Sequence, residues 1–340
     1  MSEPLAMIEE ALHRALRAGY REAKRRLLRP DLAATDGHFF PIDGSRHVGD
    51  PQHLIDAAVL DAVENALRQD MPLVRVVGEE SLRSLIASEY PIAILDPVDG
   101  TKPATHLGHA WAVVLIILQV SPGRERLWIP AAGMLTSSGA LLSVFEEQGP
   151  VYVQLVDDDA PVVAVADCAV GSNAQLSLAC VGAKAADWEG LWRLRTSFPE
   201  ATIFNVGGNP IAAGVLLGDL DAIVSFKPQS SWDALYALMV ILANGVVGSI
   251  ESNTTFDKTE VLGWFRTPPH GTEHEMKVVP PIIAAKDHST YLAIVEGLRA
   301  RSAGGLNDGD LTTRRTRLNR HVHHRSATAC QNLFGGHFDG

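Results

Sequence analysis

Two short segments carry more acid than the end of a soluble strand usually does. They read Gly78-Glu79-Glu80-Ser81 and Asp96-Pro97-Val98-Asp99-Gly100-Thr101, 17 residues apart between Glu79 and Asp96. Each follows an apolar run, LVRVV and PIAIL respectively, and the carboxyl ends of strands are where open α/β folds place their chemistry. Carboxylates converging at such a point repel one another unless a cation or hydrogen bonds offset the charge. Magnesium prefers oxygen donors, and the absence of Cys and His from both segments argues against zinc. Pro97 fixes a turn and Gly100 lets backbone amides approach an anion closely. Amides so placed are suited to a phosphate. Two further acids stand in helical patterns: Asp233, after Trp232 at the head of WDALYALMVILANG, and Asp56 in HLIDAAVLDAVENALRQD. Taken alone, Asp233 reads as a helix cap worth about 1 kcal/mol, and Asp56 as a solvated helical residue.

Taken in order, GEES, DPVDGT after an apolar strand, and WDALYALMVILANGVVG resemble the inositol monophosphatase superfamily. These are magnesium-dependent, lithium-sensitive phosphomonoesterases, and the superfamily includes fructose-1,6-bisphosphatases and 3'(2'),5'-bisphosphate nucleotidases. The resemblance runs from about Leu5 to Leu298. It implies a layered α-β-α-β-α sandwich of mixed α/β (α+β) class and two or three Mg2+ ions. Glu79, Asp96 and the Val98 carbonyl match one metal site, and Asp96, Asp99 and Asp233 a second, with Asp96 bridging. Glu79 and water match a third. The resemblance further pairs Thr101 with Asp56 to orient the attacking water, counts Glu79 among the catalytic groups, and sets the Gly100 and Thr101 amides against phosphate oxygens. Gly208, Asn209, Phe226 and Lys102 match substrate-facing positions. A cytoplasmic homodimer acting on a small phosphorylated metabolite, with no nucleic-acid polymer or membrane as partner, is the corresponding expectation.

The chain also departs from the family. QHLID stands where many relatives have a Thr- or Ser-containing turn. Seven places before Asp233, where inositol monophosphatases carry an acid that contacts inositol hydroxyls, stands Phe226 followed by Lys227. DGTK, with Lys102, resembles the bisphosphate nucleotidases, yet continues Pro103-Ala104 where they have Glu-Phe. FNVGGNP, holding Gly208 and Asn209, reads equally well as a strand-to-helix turn. Two other readings follow from the same residues. A bisphosphate nucleotidase keeps the chemistry and changes the substrate, whereas a degenerate binding or regulatory subunit keeps the fold alone. Haloacid-dehalogenase phosphatases, which use a covalent aspartyl phosphate, space their two aspartates by two residues; Asp96 and Asp99 are three apart.

The elements that must position these groups are legible in the apolar periodicity. Leu5, Ile8, Leu12, Leu16, Tyr20 and Leu27 mark an amphipathic first helix, and Leu54, Ile55, Ala58, Val59, Val63 and Leu67 a second. AWAVVLIILQV is far shorter than the roughly 20 residues of a membrane span and reads as a buried strand. With RLWIPAAGML and ALLSVFEEQGPVYVQLV it suggests an antiparallel meander. After Pro161 strands and helices alternate, ending in a long helix over 232–243, which points to an α/β unit. The expected division is 1–155 for the half with GEE and DPVDGT, 156–300 for the half with WD, and 301–340 as a disordered tail. His321, His323 and His324 in that tail have no framing fold for a metal.

The 340 residues, 46% hydrophobic, suffice for a large core, and the net charge of −11 argues against a nucleic-acid scaffold. Three scattered cysteines, Cys168, Cys180 and Cys330, form no disulfide or zinc pattern. Glu3, Glu9 and Glu10 break up the apolar run that an export signal needs.

Overall fold

The strand Ala112–Val120 (β5) is apolar from Ala112 to Leu118 because both of its faces are buried. Ala112, Val114, Ile116 and Leu118 enter one core, and Val113, Leu115 and Ile117 another. A strand covered on both sides has no solvent face to alternate with. β5 belongs to a seven-stranded sheet in sequential order: Arg75–Gly78 (β3), Ile92–Asp99 (β4), β5, Leu127–Thr136 (β6), Ala140–Phe145 (β7), Val151–Leu155 (β8) and Val163–Val165 (β9). β3 and β4 run parallel and every later pair antiparallel, so the expected meander is present. The computed structural model describes residues 3–27, 39–40, 52–78, 91–99, 111–120, 127–145, 151–155, 163–165, 175–181, 188–205, 208–230, 232–264 and 279–302.

Helices Glu3–Leu27 (α1) and Leu54–Asp70 (α2) cover the outer face of this sheet. Leu5, Ile8, Leu12, Leu16 and Tyr20 are buried on α1, as are Ile55, Val59, Val63 and Leu67 on α2. A Cβ at Gly19 would lie 2.8 Å from Val63 Cγ2, so the missing side chain lets the two helices approach closely. A two-residue pair, Phe39–Phe40 (β1) with Gln52–His53 (β2), precedes α2.

The second sheet has six strands in the order β11-β10-β12-β15-β13-β14. Its strands are Ser177–Val181 (β10), Thr202–Asn205 (β11), Ala222–Ser225 (β12), Val246–Ser249 (β13), Thr255–Phe256 (β14) and Ile282–Ala285 (β15). β10 pairs in parallel with β11 and β12, as the strand and helix alternation requires, and the other pairs are antiparallel. Helices Trp188–Ser197 (α3) and His288–Ser302 (α7) pack on its outer face. Between the sheets lie Ala212–Leu216 (α4) and Leu235–Leu242 (α5), whose residues are all buried; Lys258–Gly263 (α6) joins the same core. A helix that is apolar all round is one enclosed on every side. The stack is therefore α-β-α-β-α.

Two sequence boundaries move. β9 pairs with β8, so the first sheet extends to Val165 and the change of sheet falls between Val165 and Ser177, beyond the 155/156 division. The helix expected over 232–243 is a 3-10 turn, Trp232–Ala234, followed by α5. Residues 303–340, with His321, His323 and His324, lie outside the described residues. No helix among the described residues is long and apolar enough to cross a membrane.

Candidate active site

Strand parity decides where the first two acids point. On β4, Ile92 and Ile94 face the core between the sheets, while Ala93 and Leu95 face α1 and α2. Simple alternation would send Asp96 inward and Asp99, three residues on, outward. The β4–β5 register shifts between them: Asp96 stands opposite Val114 and Asp99 opposite Ala112, so three steps on β4 match two on β5. Such a bulge re-aims the side chains beyond it. Val98 drops into the α1/α2 core, 2% exposed, and Asp99 returns to the side of Asp96, because Val114 and Ala112 share the inner core. The spacing of three between the aspartates thus puts both on one face.

Asn209 receives them. It follows β11 as the first residue of a 3-10 turn, Asn209–Ile211, and is wholly buried. Its Nδ2 donates to Asp96 Oδ2 at 3.1 Å and to the Trp232 carbonyl at 2.9 Å; its Oδ1 accepts from the Tyr236 backbone N–H at 2.9 Å. Its own backbone N–H donates to Asp99 Oδ2. Both amide donors are thereby engaged. Gly208 makes the approach possible. It adopts φ 88° and ψ 169°, a region essentially closed to side chains, and a Cβ there would stand 2.9 Å from Asp99 Cγ. Gly208 and Asn209 both brace the carboxylates, and of the two Asn209 is wholly buried.

Asp233 lies exposed in the turn after Trp232. Ser230 Oγ accepts from the Asp233 N–H at 3.3 Å and donates to Asp233 Oδ2 at 2.8 Å. One turn on, Tyr236 donates its hydroxyl to Gln229 Oε1 at 2.7 Å. Burial, reinforced by the charge of Asp233, pushes the Tyr236 pKa far above its usual range, so the phenol stays protonated. Ser225 donates to the Lys227 carbonyl at 3.0 Å.

Phe226 is turned the other way. Ala222 and Val224 belong to the outer core and Ile223 to the inner one, so Ser225 continues the inner side of β12 and Phe226 the outer. Its ring packs on Gly190 of α3, with the Arg193 guanidinium 5.1 Å from the ring centroid. The inward residue at this strand end is therefore Ser225, which counting back from Asp233 does not find; the strand period would have found it.

Asp56 occupies the first turn of α2, half-buried. Glu79, Gly100, Thr101 and Lys102 lie outside the described residues. The parallel register of β3 and β4 ends at Gly78 opposite Leu95. Among the described residues no group of three His, Cys, Asp or Glu side chains is gathered closely enough to hold a metal ion. The two aspartates on Asn209 nonetheless suit a hard cation: they offer oxygen donors only, and Asp96 is 5% exposed. Trp232 Nε1 and Asn205 Oδ1 are buried near these turns without a hydrogen-bond partner among the described residues.

No protein-family model matches the chain, and no curated protein matches it in sequence. Solved structures do. An inositol monophosphatase from Zymomonas mobilis aligns over 85% of this chain and 96% of its own, at 15% identity and a TM-score of 0.54. The chain has the inositol monophosphatase fold. The extragenic suppressor protein SuhB from Bartonella henselae aligns over 86% of this chain and 98% of its own, at 19% identity and a TM-score of 0.56. An IMPase/NADP phosphatase solved with Mg2+ and phosphate covers 86% of this chain and 96% of its own, at 14% identity and a TM-score of 0.55. In this chain the inositol monophosphatase fold sets the paired aspartates of β4 against the WD turn, with Asn209 between them.

Proposed function

We propose that the protein is a divalent-metal-dependent phosphomonoesterase acting on a small phosphorylated metabolite. The observation that carries this is the bulge that brings Asp96 and Asp99 onto one face, joined through Asn209 to the WD turn. It stands in a fold shared with a phosphatase solved with Mg2+ and phosphate. Glu79, Asp96, Asp99, Asp233 and the Val98 carbonyl would hold two or three Mg2+ ions. Bound there, the ions lower the pKa of a water and neutralise charge on the phosphoryl and leaving oxygens. The chain's own groups do the rest. The Gly100 and Thr101 amides hold phosphate oxygens, and Thr101 with Asp56 orients the attacking water and takes up its proton. No covalent phosphoenzyme is required. A lithium-sensitive, cytoplasmic homodimer remains part of the proposal.

For the substrate, neither Ser225 nor Phe226 offers the carboxylate that would grip inositol hydroxyls, while Lys102 and Lys227 would each be able to hold a second phosphate. A phosphomonoester bearing a second phosphate or an aromatic group, as in a nucleoside bisphosphate, is therefore turned over at least as well as inositol monophosphate. The test is phosphate release, with and without Mg2+, from inositol phosphates, sugar bisphosphates, nucleoside bisphosphates and histidinol phosphate. Asp96→Asn should remove nearly all Mg2+-dependent release. Retention of most activity by Asp96→Asn across a magnesium titration refutes the metal assignment. A wide preference for inositol monophosphate refutes the substrate class, and no release from any substrate by the parent protein favours the binding-subunit alternative.

A further inference from the structure

Resting on the metal-dependent reading above, we propose that Asn209 is a positioning residue that sets the metal affinity of the site by locking three segments of the chain together. Asn209 leaves the six-stranded sheet at the end of β11, Asp96 and Asp99 belong to the seven-stranded sheet, and Trp232 and Tyr236 head the helix between the sheets. Four hydrogen bonds made by this one residue tie its own segment to the other two. The partners are distant along the chain, 113 residues for Asp96 and 23 for Trp232, so no local turn would hold them in this arrangement.

The physical need is specific. Asp96 and Asp99 are like charges drawn to one face by the bulge, and Asp96 is nearly enclosed by protein. A donor shared between them offsets part of their mutual repulsion, so that an arriving cation meets a pair already assembled. Asn209 supplies that donor twice, once from its side chain and once from its backbone, and adds no charge that would compete with the cation. Its remaining side-chain bonds fix the turn carrying Asp233, a predicted ligand that comes from another segment. Groups that orient metal ligands in this way typically govern affinity by 10- to 100-fold. The role differs from that of a residue facing substrate, since a wholly buried amide with both donors engaged contacts no ligand.

The experiment measures Mn2+ binding by electron paramagnetic resonance of the unbound ion, alongside phosphate release and the melting temperature. It compares the parent protein, Asn209→Ala and Val224→Ala. Val224 lies in the outer core, wholly buried and away from the carboxylates, and its truncation serves as a control for lost stability. Asn209→Ala should bind Mn2+ at least about 10-fold more weakly than the parent, whereas Val224→Ala, even at an equal loss of melting temperature, should bind as the parent does. Mn2+ should raise the melting temperature of the parent and of Val224→Ala, and raise that of Asn209→Ala by less at the same concentration. If Asn209→Ala does not fold, the comparison runs on Gly208→Ala, which retains the amide side chain and displaces Asp99. Affinity within twofold of the parent in the folded Asn209 or Gly208 variant overturns the inference while leaving the phosphatase reading intact. A parent protein that neither binds Mn2+ nor releases phosphate overturns both.

Discussion

Gly208→Ala isolates the contact on which the site geometry depends. At φ 88° and ψ 169° the backbone occupies a conformation that an alanine adopts only with strain of about 1–3 kcal/mol. The added methyl would stand 2.9 Å from Asp99 Cγ and 3.0 Å from Oδ2, so the carboxylate must move. Movement breaks the charge-assisted bond from the Asn209 N–H, worth about 1.5–3 kcal/mol. Together these effects amount to roughly 2.5–6 kcal/mol, a large part of the 5–15 kcal/mol that holds a typical protein folded. Urea unfolding followed by circular dichroism should register a loss of that size, accompanied by reduced phosphatase activity. The matching control is Gly263→Ala. Gly263 is the last residue of α6, and a Cβ there meets no atom within 4 Å. That substitution should be neutral or stabilising by up to about 1 kcal/mol. If Gly208→Ala unfolds within about 1 kcal/mol of the parent, the Gly208–Asp99 contact does not constrain the site and the reasoning fails.

Asp56→Asn and Thr101→Ala are expected to lower turnover by about 10²- to 10⁴-fold while leaving Mg2+ half-saturation largely unchanged, because both are assigned to the water; unchanged turnover in Asp56→Asn would return Asp56 to the status of a solvated helical residue. A pH effect arises far from the site, at His13, where burial foremost and the neighbouring Arg17 charge lower the pKa from 6.5 to about 4, with Nε2 3.0 Å from Ser143 Oγ. A histidine with a depressed folded-state pKa binds more protons unfolded than folded, so its contribution is complete above pH 6.5 and is lost as pH falls toward 4. The loss should approach about 3 kcal/mol, and His13→Gln should flatten the stability profile over that range; identical slopes in the two proteins would show that His13 does not titrate as described.

Much of this architecture is readable because burial imposes a period. α1 and α2 show helical spacing because each has one covered stripe, and β5 is continuously apolar because both its faces are covered. Pairings between distant segments leave no comparable trace. β15 inserts between β12 and β13, antiparallel to both, although 56 residues separate the end of β12 from its start. Asn209 is obscured for a different reason. In Gly-Gly-Asn-Pro an asparagine has an adequate local explanation as a turn residue, and nothing nearby reveals that its partners are Asp96 and Trp232.

Ser225 and Phe226 show how counting and geometry diverge. Counting seven positions back from Asp233 selects Phe226, but a count carries no information about which way a side chain faces. The alternation of Ala222, Ile223 and Val224 between the outer and inner cores does, and it assigns the inward position to Ser225. The same logic works in reverse at Asp96 and Asp99. There the period of two, applied without the bulge, would separate two acids that the motif requires together, and only the register against Ala112 and Val114 shows that they share a face. A strand carrying functional groups at odd spacing must therefore break its own period, and the break at Pro97-Val98 is where this chain converts a core strand into a pair of convergent carboxylates.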